Sequence, residues 1–159
     1  MIYVKLVGMA LVAFSSIMLP NILNRRLTQG LRCAEGWERL IGLIKNEIEC
    51  FSLPISDILS RTDPSLLLLC GYTGGGQPKG LWELTEKTVF ADSETEKIAT
   101  RFVAEFGQCY KAEQVERCAY FATLAEARRK TLASELPAKK RLNLTLCISA
   151  GLGILILFL

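Results

Sequence analysis

Six cysteines and no histidine frame the chemistry open to this chain. The thiols are Cys33, Cys50, Cys70, Cys109, Cys118 and Cys147. Structural zinc sites and dithiol redox centres draw on Cys-x-x-Cys pairs or on histidine, because one turn must deliver two ligands together. No two of these cysteines have that spacing, so the thiols are expected to serve as small hydrophobes in a reducing compartment, with no metal and no cofactor. Cys70, at the glycine-rich stretch, is expected to be shielded from membrane-impermeant thiol reagents in intact cells and to react after permeabilisation. Glu47 and Glu49 are two apart and so point to different sides of a helix rather than converging as an acid–base pair. Without histidine, a nucleophile would need a lysine-assisted serine or cysteine, and no local motif supplies one. The glycine-rich stretch 71–80 invites comparison with a phosphate cradle. That motif needs Gly-Lys-Ser/Thr running from a strand straight into a helix. Here Lys79 lies between Pro78 and Gly80, and no strand pattern comes before it. The expectation is a flexible connector, no catalytic residue and no enzyme.

The elements that would hold any site read as helices throughout. Leu31, Ala34, Trp37, Ile41, Ile44, Ile48 and Phe51 recur in steps of three and four, the mark of one helical face. Glu35 and Arg39 add a stabilising pair on the solvent side. Pro54 suits the first turn of a new helix, and Asp63-Pro64 repeats the device with Asp63 as the cap. The Pro64 helix carries a run of four leucines, 66–69, read as core. Residues 81–88 form a short helix bearing Trp82. Ser93 and Glu96 have capping-box spacing, and Gly107 can close that helix in the left-handed conformation. A last long helix begins near Ala112 with a small-residue seam of Val115, Cys118, Ala119, Ala122 and Ala125. Arg128, Arg129 and Lys130 near its end read as a solvated face, and Pro137 is expected to break or kink the path beyond.

Both ends are apolar. Residues 2–19 carry one charge, Lys5, and residues 142–159 carry none. At 1.5 Å per residue each stretch reaches roughly 27 Å, close to the hydrocarbon thickness of a bilayer. Arg25, Arg26 and Arg32 follow the first stretch, and Lys139, Lys140 and Arg141 precede the second. Bases flanking one segment from both sides place it on the cytoplasmic face by the positive-inside rule. A cleaved signal peptide wants small residues after its apolar run, whereas Met18-Leu19-Pro20-Asn21 stands here, so an uncleaved anchor is expected. A cleaved lipid-anchor tail wants small residues and a polar spacer, not a basic cluster. The 16 acids all fall within 35–135 against twelve bases, a local net of −4 inside a chain of +3. The basic surplus therefore sits beside the expected membrane, which argues for lipid and against nucleic acid as its partner. The sequence thus predicts an all-α protein: an N-terminal transmembrane helix over 1–22, a cytoplasmic six-helix-type bundle over 23–141, and a C-terminal transmembrane helix over 142–159.

The chain also resembles the stage III sporulation protein AB family of endospore-forming bacteria. The features that carry the resemblance are Leu40-Ile41-Gly42-Leu43-Ile44-Lys45-Asn46-Glu47-Ile48-Glu49, then Pro54-Ile55-Ser56-Asp57-Ile58-Leu59. They continue with Leu81-Trp82, an acidic capped helix closing on Phe106-Gly107, Glu113-Gln114-Val115, and the terminal apolar helix. Phe51 and Leu53 stand where the family usually has Gly and Thr. The resemblance implies a two-pass protein of the mother-cell membrane facing the forespore, in a secretion-like channel complex. It implies a non-enzymatic platform that couples a cytoplasmic secretion-type ATPase to the membrane channel, alongside other membrane components and possible further copies of itself. It also marks Asp57, an acid the family keeps, as a candidate partner contact, against the plainer reading that Asp57 only complements the positive end of its own helix. The alternatives are a membrane-anchored helical adaptor or regulator unrelated to secretion and, more remotely, a thiol-redox protein.

Overall fold

The computed structural model describes residues 2–107 and 110–158. Six helices follow in order: α1 (Ile2–Phe51), α2 (Ile55–Arg61), α3 (Pro64–Leu69), α4 (Leu81–Glu86), α5 (Ser93–Glu105) and α6 (Lys111–Phe158). No strand occurs among the described residues, and the one β feature is an isolated antiparallel bridge between Tyr72 and Thr88. The protein is all-α. The helices group into two compact units, an inner one of Gln29–Leu132 and a terminal one of Met1–Thr28 with Ala133–Leu159.

In the inner unit the core is built on the α1 stripe read from the sequence. Trp37, Leu40, Ile41, Ile44 and Ile48 are buried, and so are Ile58 and Leu59 of α2, Leu84 of α4, Phe102 of α5 and Cys118, Phe121 and Ala125 of α6. Phe102 meets Phe106 and Phe121 at centroid separations of 5.4 and 5.5 Å in tilted and edge-on contacts that suit the ring quadrupole. Gly36 lets α3 come close. A Cβ there would lie 2.6 Å from the Cys70 backbone nitrogen and 2.7 Å from the Leu69 carbonyl carbon. Gly71 ends α3 with φ +91, a left-handed turn in which a Cβ would also strike the Val89 carbonyl at 2.8 Å.

Several local expectations meet a different outcome. Pro54 is not in the first turn but caps α2 from outside it, its carbonyl accepting from Asp57 and Ile58. The cap of α5 is Asp92 rather than Ser93: its carboxylate accepts from the Thr95 N–H (2.9 Å) and hydroxyl (2.8 Å). An acid is the stronger cap here because it also pairs with a cation, as described below. Of the four leucines in α3 and beyond, Leu67 is buried but Leu68 is 70% exposed, since a helix of six residues can turn only one side inward. Gly107 does take positive φ, +82. α6 runs through Pro137 without a break, and α1 likewise runs through Pro20. Each proline removes one backbone donor, which a helix of 48 or 50 residues tolerates when packing supports both sides.

The terminal unit pairs the outer part of α1 with the outer part of α6. Along α6, besides Glu135, the described partly or fully buried positions are Leu136, Lys140, Asn143, Cys147 and Gly151, steps of four, three, four and four that trace one helical face. Pro20 is buried and Asn24 half-buried on the opposing segment. The Asn143 side-chain amide donates to the Asn24 side-chain oxygen at 3.3 Å. Away from that seam, apolar side chains lie exposed: Leu142, Leu144, Leu146, Ile148, Leu152, Ile154 and Ile156 around α6, and Met18, Leu19, Ile22 and Leu23 on α1. Among the described residues, no helix is long and apolar enough to cross a membrane.

Candidate membrane and partner surfaces

The bases singled out in the sequence fall into two groups. Arg25, Arg26, Lys139, Lys140 and Arg141 belong to the terminal unit, whereas Arg32 belongs to the inner one. Lys139 is neutralised locally by Glu135, one turn back, at 2.6 Å. Arg25, Arg26 and Arg141 are exposed and Lys140 is half-buried. Arg32 instead lines a groove of about 650 Å³ with Gln29, Ser65, Tyr72, Thr73 and Val89. The exposed side chains of Leu68 and Val89 complete that groove.

Asp57 is exposed in the first turn of α2 and receives only a long contact, 3.4 Å, from the Ser56 hydroxyl. Its helix borders a hollow of about 350 Å³ lined by Leu53, Pro54, Ile55, Phe106 and Lys111. Phe51 beside this hollow is 68% exposed, and Tyr110, next to Lys111, is 90% exposed. Ser52 closes α1 with φ +53, a left-handed conformation unusual for a residue with a Cβ. Lys111 holds that turn by donating to the Ser52 hydroxyl (2.7 Å) and the Glu49 carbonyl (3.1 Å). This end of the inner unit thus carries the exposed rings of Phe51 and Tyr110, the half-buried Leu53 and Ile55, and the charged Glu49, Asp57 and Lys111.

Two cations dismissed in the sequence as a solvated face turn out to be tertiary ties. Arg128 forms a two-pronged pair with Asp92 (2.5 and 2.9 Å), joining α6 to the start of α5. Arg129 reaches Glu38 on α1 at 2.5 Å. Burial alone would push the Asp92 carboxyl upward, but hydrogen bonds from Arg128 and Thr95 outweigh it and hold its pKa down at about 2. Partners 36 and 91 residues away in sequence leave no local spacing to betray them. Lys130 instead pairs locally with Glu126, one turn back, at 2.6 Å.

The thiols are mostly sealed. Cys33 donates to the Cys70 carbonyl at 2.9 Å, and burial pushes its pKa up to about 12. Burial also raises Cys70 and, to about 11, Cys118. The expected reachable thiol, Cys70, is 0% exposed, because the backbone of α3 folds it against α1 at Gly36. Cys50 is exposed instead, and Cys147 lies in the seam of the terminal unit. Cys109 lies outside the described residues. No group of three or more Cys, Asp or Glu converges on a metal position among the described residues. The glycine-rich stretch leaves α3, not a strand, and the Lys79 backbone N–H is occupied by the Glu83 carboxylate at 2.9 Å. No protein-family model, curated protein or solved structure matches the chain.

Proposed function

We propose that the chain is a two-pass membrane platform subunit, with residues 1–22 and 142–159 as its membrane helices. In this reading the inner unit lies on the cytoplasmic face and docks a secretion-type ATPase onto a membrane channel complex. The role is that of the sporulation family whose sequence it resembles. The observation that carries the membrane part is the terminal unit, whose apolar side chains face outward all round α6 while its bases, Lys5 apart, collect at one end. Outward apolar side chains on every side of a helix are unfavourable in water, costing about 25 cal/mol per Å² exposed, and favourable in hydrocarbon.

The platform part draws on the resemblance and on the Phe51–Asp57 end of the inner unit. The inner segment carries net negative charge, and charged rims set encounter rate and specificity while an apolar centre supplies the holding energy. The protein acts by binding, and the chemistry belongs to the ATPase. The test is capture of a secretion-type ATPase by the full chain in detergent. Capture should weaken as salt rises, and Asp57→Lys should weaken it further while leaving helix content intact. If Asp57→Lys lowers only thermal stability, the residue merely complements its own helix. If the folded chain captures no such ATPase at low salt, the coupling role fails and a membrane-anchored adaptor unrelated to secretion takes its place.

A further inference from the structure

The terminal unit has a polar layer whose geometry is more selective than a general basic collar. Thr28 and Ala133 are the ends at which the chain passes to the other unit, so the two segments run antiparallel around the Asn24–Asn143 hydrogen bond. A right-handed helix turns roughly 100° per residue. Starting from Asn24 and Asn143, which face each other, that rotation sends Arg25 and Lys140 to the same flank of the pair. Arg26 and Arg141 turn to the two outer sides. On the flank of Arg25 and Lys140, but toward the chain ends, the same rotation places Met18 and Leu144, whose apolar side chains are 47% and 49% exposed.

Neither Arg25 nor Lys140 forms an ion pair among the described residues, whereas Lys139 spends its charge on Glu135. Lys140 is moreover half-buried on the packing seam. A lysine held there keeps its ammonium at the seam's edge instead of ranging through solvent. Two uncompensated cations on one flank, one forked and one compact, with apolar surface on a single side of them, match one kind of molecule. Its negative headgroup must sit against the bases and its acyl chain against the apolar side.

We propose that this flank is a seat for an anionic phospholipid, with Arg25 and Lys140 holding the headgroup phosphate and Met18 and Leu144 lying along the acyl chain. The proposal rests on the membrane reading above and adds to it a lipid class and two residues. Arg32 and Lys139, counted with the others in the sequence, have no part in it. The protein would therefore prefer phosphatidylglycerol to zwitterionic lipid, and the preference would depend on two of the six flanking bases.

The experiment reconstitutes the full chain in nanodiscs of phosphatidylcholine and phosphatidylglycerol, and reads the retained lipids by native mass spectrometry. Phosphatidylglycerol should be retained in preference, and Arg25→Gln or Lys140→Gln should each weaken its retention about five-fold. Arg25→Lys should restore most of it, while Arg32→Gln and Lys139→Gln should leave it unchanged. Circular dichroism of each variant separates loss of the seat from loss of fold. Equal retention of both lipids, or an equal loss in Arg32→Gln and Lys139→Gln, overturns the proposal. Alkaline carbonate extraction tells the two failures apart. A chain that stays in the membrane without lipid preference sinks only the seat, and a chain that is released sinks the membrane reading with it.

Discussion

α1 and α6 each pass through both units, and their outward surfaces change character on the way. In the inner unit α1 buries Leu40, Ile41, Ile44 and Ile48 and turns Arg39, Asn46 and Glu49 outward. In the terminal unit the same helix leaves Met18, Leu19, Ile22 and Leu23 exposed, and α6 does so along Leu142, Leu144, Leu146 and Ile148. α1 is thus amphipathic in the inner unit and carries exposed apolar side chains in the terminal one. Polar bonds divide in the same way. The inner unit is tied by the ion pairs Arg128–Asp92 and Arg129–Glu38, and the terminal seam by a neutral asparagine pair.

The contrast is sharpest in paired truncations. Leu84 is 0% exposed, and Leu84→Ala should cost about 2–5 kcal/mol in urea unfolding of the full chain in detergent. Leu152 is 55% exposed, and Leu152→Ala should change the same unfolding by no more than about 0.5 kcal/mol. Comparable losses at both sites would mean that the terminal face is covered by protein, against the division drawn here.

Glycines give the next effect. Gly36→Ala forces a Cβ into the α3 backbone and should destabilise by about 2–3 kcal/mol. Gly42→Ala has nothing within 4 Å and should stabilise by about 0.5–1 kcal/mol through helix propensity. Thermal melts that rank these two the other way would contradict the packing of α3 on α1.

Asp92→Ala removes a cap and a tertiary ion pair and should cost about 2 kcal/mol. The pH dependence follows from the lowered carboxyl. Its contribution is complete above the ordinary carboxylate value of 3.8 and fades as pH falls toward about 2. Stability of the parent should thus fall across that window more steeply than that of Asp92→Ala. Parallel acid profiles would show that Asp92 is not ionised in a paired state.

The smallest effect concerns Trp37, whose indole N–H is buried without a partner. Trp37→Phe removes that orphaned donor along with some volume, so the two should nearly offset, within about 1 kcal/mol. A loss as large as that of Leu84→Ala would mean that the indole is bonded after all.

Much of the inner fold was legible because it is local. The stripe from Ala34 to Ile48, the Asp63 cap and the turn at Gly107 all follow from spacing within a few residues. What spacing could not show is long-range. Asp92 displaced Ser93 as cap because Arg128, 36 residues on, shares the carboxylate. Cys70 looked reachable beside a glycine loop and is sealed by Gly36, a contact made only when α3 folds onto α1. Among the six flanking bases, sequence position gave equal standing to Arg32 and Arg25, and the packing separates them. Pro137, strong local punctuation in the sequence, lies inside α6 without ending it.

The most direct test of the account is alkaline carbonate extraction of membranes from cells expressing the full chain. A chain anchored by its terminal unit stays in the membrane pellet, and detergent alone releases it. Recovery of the chain in the carbonate supernatant would contradict it, because a terminal unit held only by its bases is stripped at high pH and one held in hydrocarbon is not.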